Sequence, residues 1–339
     1  MRSVTTLCAA LAASVLSLGA TGSGQTLSDE RSYDFGDAFS FSQFVLSQDG
    51  VVWIADGNTG DHAILKIDKA GKLSTFALPA DLSVTDLAVG ERGEMWGISS
   101  SGEEPALSES IVHIAANGDI QKYPAGMPEL SAIIVGPDNR PWFASADARG
   151  GTILRLETDG EILRVGTIDG ALISSMVAGP DGNVWYTDTV GNRIGRISSS
   201  GQIALYPTPR KGGEPNSIVL GPEAKLWFAD RSANAIAQIS ADGQIKEFLI
   251  PTVDAFPDGL AFDAKGDVWF AEGHRNRVAR MTPSGAFDDW QLPGSNLSPY
   301  QVLIGSDSRI WIGSDAALLQ LDPKQTYSRS TVFSYQMPQ

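Results

Sequence analysis

Seven tryptophans stand on one frame: Trp53, Trp96, Trp142, Trp185, Trp227, Trp269 and Trp311, at intervals of 43, 46, 43, 42, 42 and 42 residues. A period in the low forties leaves room for four short strands per unit. That is the spacing of a β-propeller blade, a small sheet that cannot bury its own faces and must stack on its neighbours. The remaining tryptophan, Trp290, lies in the segment FDDWQLP.

Each unit reads alike. Strand A is apolar, as in VTDLAVG, SSMVAG and NSIVLG. A turn such as GPDN, GPDG or GPEA follows; Pro presets φ there, and Gly or Asn accepts a positive φ. Strand B carries the tryptophan, as in LWFAD or VWFAE. Strand C alternates, as in ILKID, ILRLE and VARMT, and period two marks one buried face. A turn ending near Gly, such as ADGQ, signals a hairpin. It leads to strand D, as in IALYPT or IKEFLIP, where Pro at the outer edge costs no ladder bond. The expected fold is all-β: a single seven-bladed propeller over residues 25–339, with four antiparallel strands per blade and the tryptophans filling the gaps between sheets. The 46-residue interval holds an insertion, SGEEPALSES at 101–110. The marks of WD40 and kelch repeats, a GH…WD pairing and a GG pair in every repeat, are absent. An end strand must close the ring, and two segments qualify. Residues 32–38, SYDFGDA, fit an outer strand leading into the first blade, and residues 331–337, TVFSYQM, fit strand D of the last.

The chain of 339 residues carries Lys+Arg 25 against Asp+Glu 40, a formal charge of −15. An acidic surface argues against nucleic acid and anionic membrane as partners. Arg2 precedes the apolar run TLCAALAASVLSLGA, and Ala20-Thr21-Gly22 offers a small-x-small cleavage site. The run has signal-peptide length and falls short of the ~20 residues that span a bilayer. The expectation is a signal peptide over residues 1–24 and a periplasmic or secreted, soluble, monomeric product. Cys8, the only cysteine, leaves with that peptide, so thiol chemistry and Cys-based metal sites go with it.

Antiparallel order places the start of strand A and the end of strand B at one end of a blade. The loops there ring one mouth of the central channel, a favoured place for a site. Eleven residues before each tryptophan stand Ser42, Thr85, Ser131, Ser174, Asn216, Asp258 and Tyr300. Three residues after it stand Asp56, Ser99, Ser145, Asp188, Asp230, Glu272 and Ser314. Blades four to six therefore gather acids, with Glu214 and His274 in adjoining loops. Crowded carboxylates invite a hard cation, Ca²⁺ or Mg²⁺. The candidate metal ligands are Asn216, Asp258, Glu272, Asp230 and Glu214. Asp258 and Glu272 are the candidate catalytic residues, and Asp188, His274 and Tyr300 the candidate ligand contacts. A structural alternative stands beside this. Asp188, Asp230 and Glu272 each precede an Asn by four residues (Asn192, Asn234, Asn276), a spacing that suits an acid accepting backbone N–H bonds within a turn. No partner suggests itself for His62 or His113. No HExxH, P-loop or Ser-His-Asp order is present, and no organic cofactor is expected.

The repeats GPDGNVWYTD–GNRIGRIS–GQIALYPTP and KLWFADRSANAIAQISADGQIKEFLIPT closely resemble the streptogramin B lyase (virginiamycin B lyase) family over nearly all of residues 39–325. The resemblance implies seven blades and opening of a cyclic depsipeptide antibiotic at its ester by elimination, with a histidine base and Mg²⁺. That family begins the inner strand of its last blade with Glu-Pro-His-Gly and has a Glu fourteen residues after the His. The matching positions here are Ser298-Pro299-Tyr300-Gln301 and Ser314. The substrate-contacting His of the preceding blade corresponds to Asp258. Loss of a general base costs ~10²–10⁴-fold. Glu214-Pro215-Asn216, and Asp258 with Glu272, look like fragments of the same pattern in other blades. EPNSIVLGPEAKLWFAD and FPDGLAFDAKGDVWFAE are more weakly similar to gluconolactonase-like propellers, which implies Asn216 and Asp258 as a Ca²⁺ pair with Asp258 as a base. Seven blades rather than six, and Ser174 where that family has Asn, depart from it. The leading expectation is an exported lyase-like propeller that lacks antibiotic lyase activity and binds a small ligand or metal at the mouth. A metal-dependent lactonase or esterase and a protein-interaction scaffold are the alternatives.

Overall fold

In the computed structural model, residues 31–33, 41–47, 49–56, 63–90, 93–101, 108–115, 117–292, 297–315, 318–321 and 329–334 are described. The expected signal peptide, His62 and most of the 101–110 insertion lie outside them. Each tryptophan repeat forms one antiparallel sheet in the order A-B-C-D from the channel outward. The blades span residues 41–77, 83–124, 130–169, 173–207, 215–249, 257–291 and 299–321. The expected fold of seven four-stranded blades is thus observed.

The core is divided among the blade interfaces. Seven apolar clusters form, one between each blade and the next. In each the tryptophan projects forward. Trp185, fully buried, packs on Ile218 and Phe228 of blade five, and Trp311 packs on Phe44 and Ile54 of blade one across the closure. Burying side chains of this size stabilises by about 1.5–3 kcal/mol each. The turns serve the same residue. Asp138 accepts the indole N–H of Trp142 at 2.8 Å, and Asp181 accepts that of Trp185 at 3.0 Å. From the other side, an arginine of strand C lays a cation over the ring: Arg155 over Trp142 at 5.2 Å and Arg196 over Trp185 at 5.5 Å. Trp290 stacks on Trp269 with centroids 5.1 Å apart.

In four blades the residue ten positions before the tryptophan clasps the next inner strand. Gln43 Oε1 accepts the N–H of Leu87 at 2.7 Å, Asp86 that of Ile133 at 3.2 Å, and Ser175 that of Ile218 at 3.3 Å. Gln301 accepts from Phe44 N–H at 3.2 Å and donates to Phe44 O at 2.8 Å, joining blade seven to blade one. In blade six the same position is Gly259, at φ +47°, where a Cβ would lie 2.6 Å from Gln301 Cα. Only glycine permits that approach of the two inner strands.

The ring closes through Arg31–Tyr33, which pairs antiparallel with Leu318–Leu321 and completes blade seven. The segment at 331–337 does not supply strand D of the last blade. Arg329–Ser334 instead pairs with Ala286–Gln291 and becomes a fifth, outermost strand of blade six. The edge of blade seven is already taken, so the open edge of blade six receives it.

Candidate functional site

Three inner strands begin Pro-X: Pro215–Leu220, Pro257–Phe262 and Pro299–Ile304. The proline stands first in the strand, where its missing N–H leaves no ladder bond unmade. An irregularity in pairing lies close behind each one, at Asn216–Ser217, Gly259 and Tyr300, and bends the strand at the residue that follows the proline. Those residues are Asn216, Asp258 and Tyr300, and they come together at the mouth. Asn216 Nδ2 donates to Asp258 Oδ1 at 2.8 Å, and Gly259 N–H donates to the same oxygen at 2.9 Å. Asp258 Oδ2 is ion-paired with Arg231, which follows strand B of blade five. Tyr300 feels the charges of Asp315 and Asp258. Burial first, and those charges second, push its phenol well above the ordinary value, so it stays a neutral hydroxyl.

Beside this group lies an aromatic stack. The Arg231 guanidinium stands 5.0 Å over the ring of Phe256, and Phe256 stacks on His274 with centroids 4.1 Å apart. Asp254 Oδ1 lies 3.1 Å from His274 Nδ1, and Arg275 Nε donates to Val253 O at 2.8 Å. Asp254 and Phe256 both hold φ of 54°, a left-handed conformation that costs roughly 1–2 kcal/mol for such residues. Their contacts hold this loop in place. Asn216 is fixed from blade four, whose Thr187 hydroxyl donates to its carbonyl at 2.8 Å. Ser174, the corresponding residue of blade four, lies 2.7 Å from the Thr189 hydroxyl.

The acids three residues after the tryptophans occupy different ground. Asp188, Asp230 and Glu272 are buried, at 0%, 0% and 1% exposure. Asp188 Oδ1 accepts the N–H groups of Leu172 at 3.1 Å and Gly191 at 2.9 Å, while Arg193 donates to Oδ2 at 2.6 Å. Asp230 Oδ1 likewise accepts from Glu214 N–H at 2.8 Å and Ala233 N–H at 3.1 Å. Ala235 replaces the arginine in that blade, Asp230 Oδ2 has no partner among the described residues, and burial pushes the carboxyl up. Glu272 lies between blades five and six with Pro251, Thr252 and Asp289. Burial, reinforced by Asp289, pushes its carboxyl up to about 7 against the Thr252 hydroxyl and Arg277. The paired asparagines complete the loops in left-handed conformation. Asn234 donates to Thr252 O at 2.9 Å and accepts Ala255 N–H at 2.9 Å. The Glu214 carboxylate accepts the Ser232 hydroxyl at 2.5 Å. These acids therefore take loop-building positions, and the mouth group is Asn216, Asp258 and Tyr300 with His274 at its edge.

Sequence reasoning missed Arg231 and Phe256. The signal for Arg231 was available: it stands four residues after the tryptophan, the position of Thr189, which in blade four reaches across to Pro215 O at 2.9 Å. The residues present do not fit a divalent cation at Asp258. Arg231, Asn216 and the Gly259 amide all donate into its carboxylate, where a cation would need free lone pairs. Among the described residues no group of three or more His, Cys, Asp or Glu is placed to hold one.

Among solved structures, that of a streptogramin B lyase is 25% identical, aligned over 87% of this chain and 97% of that one, with a TM-score of 0.77. A catalytically inactive virginiamycin B lyase from Staphylococcus aureus with quinupristin is 26% identical over 87% and 99%, with a TM-score of 0.75. A gluconolactonase-family structure, 13% identical with a TM-score of 0.50 over 89% and 94%, shares the fold alone. No curated protein matches the sequence. The model of the virginiamycin B lyase family matches residues 106–318, from blade two into blade seven; the chain belongs to that family.

Proposed function

We propose that this propeller binds a small ligand carrying a carbonyl or carboxylate oxygen at its mouth, without the elimination chemistry its family resemblance implies. The observation that carries the reading is Arg231. Its guanidinium is held between Asp258 and the face of Phe256, and its Nε donates to nothing among the described residues. The Arg231 side chain keeps 27% of its surface exposed. A fixed, partly exposed guanidinium suits a planar oxygen acceptor, and Phe256 stacked on His274 gives an apolar wall beside it. A base is another matter. Asp258 is engaged by three donors, and Tyr300 and Ser314 stand where the resemblance calls for His and Glu. A phenol pushed up by burial is a poor base at neutral pH.

Export to the periplasm or medium belongs to the same proposal. It rests on Arg2 and the apolar run after it, and N-terminal sequencing of the secreted product would test it by finding a start near residue 25. For the mouth, the probe is quinupristin with Mg²⁺, followed by calorimetry and mass spectrometry. Saturable binding with the ring intact is expected. A linearised product overturns the absence of lyase chemistry, and no binding overturns the ligand site as drawn.

A further inference from the structure

The opposite end of the channel has a different character from the mouth. The residues eight and seven positions before each tryptophan are apolar in all seven blades, from Val45–Leu46 in blade one to Leu303–Ile304 in blade seven. They close strand A at the end away from Asn216, Asp258 and Tyr300. All but Ala88 remain partly or largely accessible, Leu220 to 47%. Between blades seven, one, two and six they open onto a cavity of about 420 Å³, walled by Val45, Leu46, Val89, Phe262, Leu303 and Ile304. Its one polar neighbour among the described residues, Gln301, already commits its amide to the backbone of Phe44.

A water-filled channel needs no such lining. The inner strands tolerate Ser, Thr, Asn and Asp at the mouth, so polar residues fit the architecture. An apolar wall exposed to water costs about 25 cal/mol per Å² left uncovered. The volume lies within the ~300–1,000 Å³ of small-molecule sites. The rim adds a sign. Asp49, Asp263 and Asp307 stand on the turns of blades one, six and seven that frame the opening. Lys265 and Arg309 share those turns, and Lys69 lies beside Asp49. Glu94 and Asp267, on the turns of blades two and six, add two acids, the second paired with Arg280 at 3.3 Å. Arg309 is drawn to Asp307 at 3.7 Å and to Gln320 at 3.4 Å. The whole chain carries −15.

We infer that this end of the channel is a second binding site, for the aliphatic chain of a cationic amphiphile, with the head at the acidic rim. It is separate from the mouth and does not rest on the mouth's proposed role.

The test titrates alkyltrimethylammonium ions of increasing length, below their micelle concentrations, into the mature chain by calorimetry. One site is expected, with affinity rising about fourfold per methylene until the cavity is full. Alkyl sulfates of equal length bind at least tenfold more weakly. Val89→Trp fills the cavity and lowers affinity at least tenfold, and Leu303→Gln does the same by a polar route should Val89→Trp not fold. Val253→Ser, in the loops at the mouth, leaves affinity unchanged. Affinity that ignores chain length, equal binding of the sulfates, or binding that survives both cavity variants overturns the proposal.

Discussion

At the residue scale the mouth depends on one partly buried ion pair. Asp258 is 5% exposed, and Arg231 is its counter-charge. Removing the arginine strands a carboxylate in a poorly solvated place, whereas removing the carboxylate leaves a guanidinium still facing an aromatic ring. Arg231→Met is therefore expected to lower stability by about 2–3 kcal/mol, discounted for partial exposure from the ~3–5 kcal/mol of a fully buried pair. Asp258→Asn should cost less. Urea unfolding of the two variants decides this, and a larger loss from Asp258→Asn would sink the account. Glu272 and Asp86 make a pH prediction. Burial pushes both carboxyls up to about 7, in Asp86 against the N–H groups of Leu87 and Ile133 and the Gln43 side chain. The unfolded chain then holds fewer protons than the folded one between about pH 4 and 7. Stability should fall as pH rises through that window and level off above it. Glu272→Gln should flatten part of the slope; an unchanged slope would show that Glu272 ionises freely. Of the candidate site, Asn216, Asp258 and Tyr300 were legible because one offset from the tryptophan placed them together. For Asp188, Asp230 and Glu272 the spacing to Asn192, Asn234 and Asn276 already offered the loop-building reading beside the metal one; they sit on the strand B face opposite the tryptophan, turned into the preceding interface. Period two alone carries that information, once the tryptophan is known to face forward.

At the element scale the blade is a tryptophan with its supports, and blade five is the imperfect copy. Its turn reads GPEA where blade four has GPDG. Glu223 and Ala224 are both left-handed, at φ 58° and 55°, while blade four has Gly182 at 75°. Trp227 Nε1 is buried and has no partner among the described residues, in contrast to Trp185 on Asp181. Restoring the pattern with Glu223→Asp and Ala224→Gly should relieve roughly 1 kcal/mol of backbone strain. It should also regain ~0.5–1.5 kcal/mol from the indole hydrogen bond. A rise of about 2–4 °C in melting temperature is expected, and a fall would mean that the turn is not what limits this blade. The turns, strands and forward tryptophans were readable because every copy repeats residue types. The clasp ten positions before the tryptophan was not. Gln43, Asp86, Ser175 and Gln301 differ in chemistry and share only a register, which shows once the inner strands lie side by side. The fifth strand of blade six was equally hidden, since one open strand D edge reads like another.

At the scale of the whole molecule, stability turns on how the ring is shut. Two terminal strands pair with outer edges, and local bookkeeping ranks them one way. Arg329–Ser334 has six residues and Arg31–Tyr33 three, so ladder bonds at ~0.5–1.5 kcal/mol each favour the C-terminal strand. Topology ranks them the other way. Arg31–Tyr33 belongs to blade seven in space and to blade one in sequence, so it carries the chain across the closing interface. Without it that interface is held by the cluster around Trp311 and Phe44 and by the Gln301–Phe44 hydrogen bonds. Closing a loop as long as the ring costs on the order of 5 kcal/mol of chain entropy, and fewer contacts would then bear it. The C-terminal strand thickens one blade and closes nothing. Three chains, 25–339, 40–339 and 25–327, compared by thermal unfolding and size-exclusion chromatography, separate the two rankings. The chain begun at residue 40 should melt lowest and associate through its opened edges, while the chain ended at 327 should elute as the parent does and melt close to it. The reverse order would mean that the interfaces alone close the ring and that the N-terminal strand is only another edge.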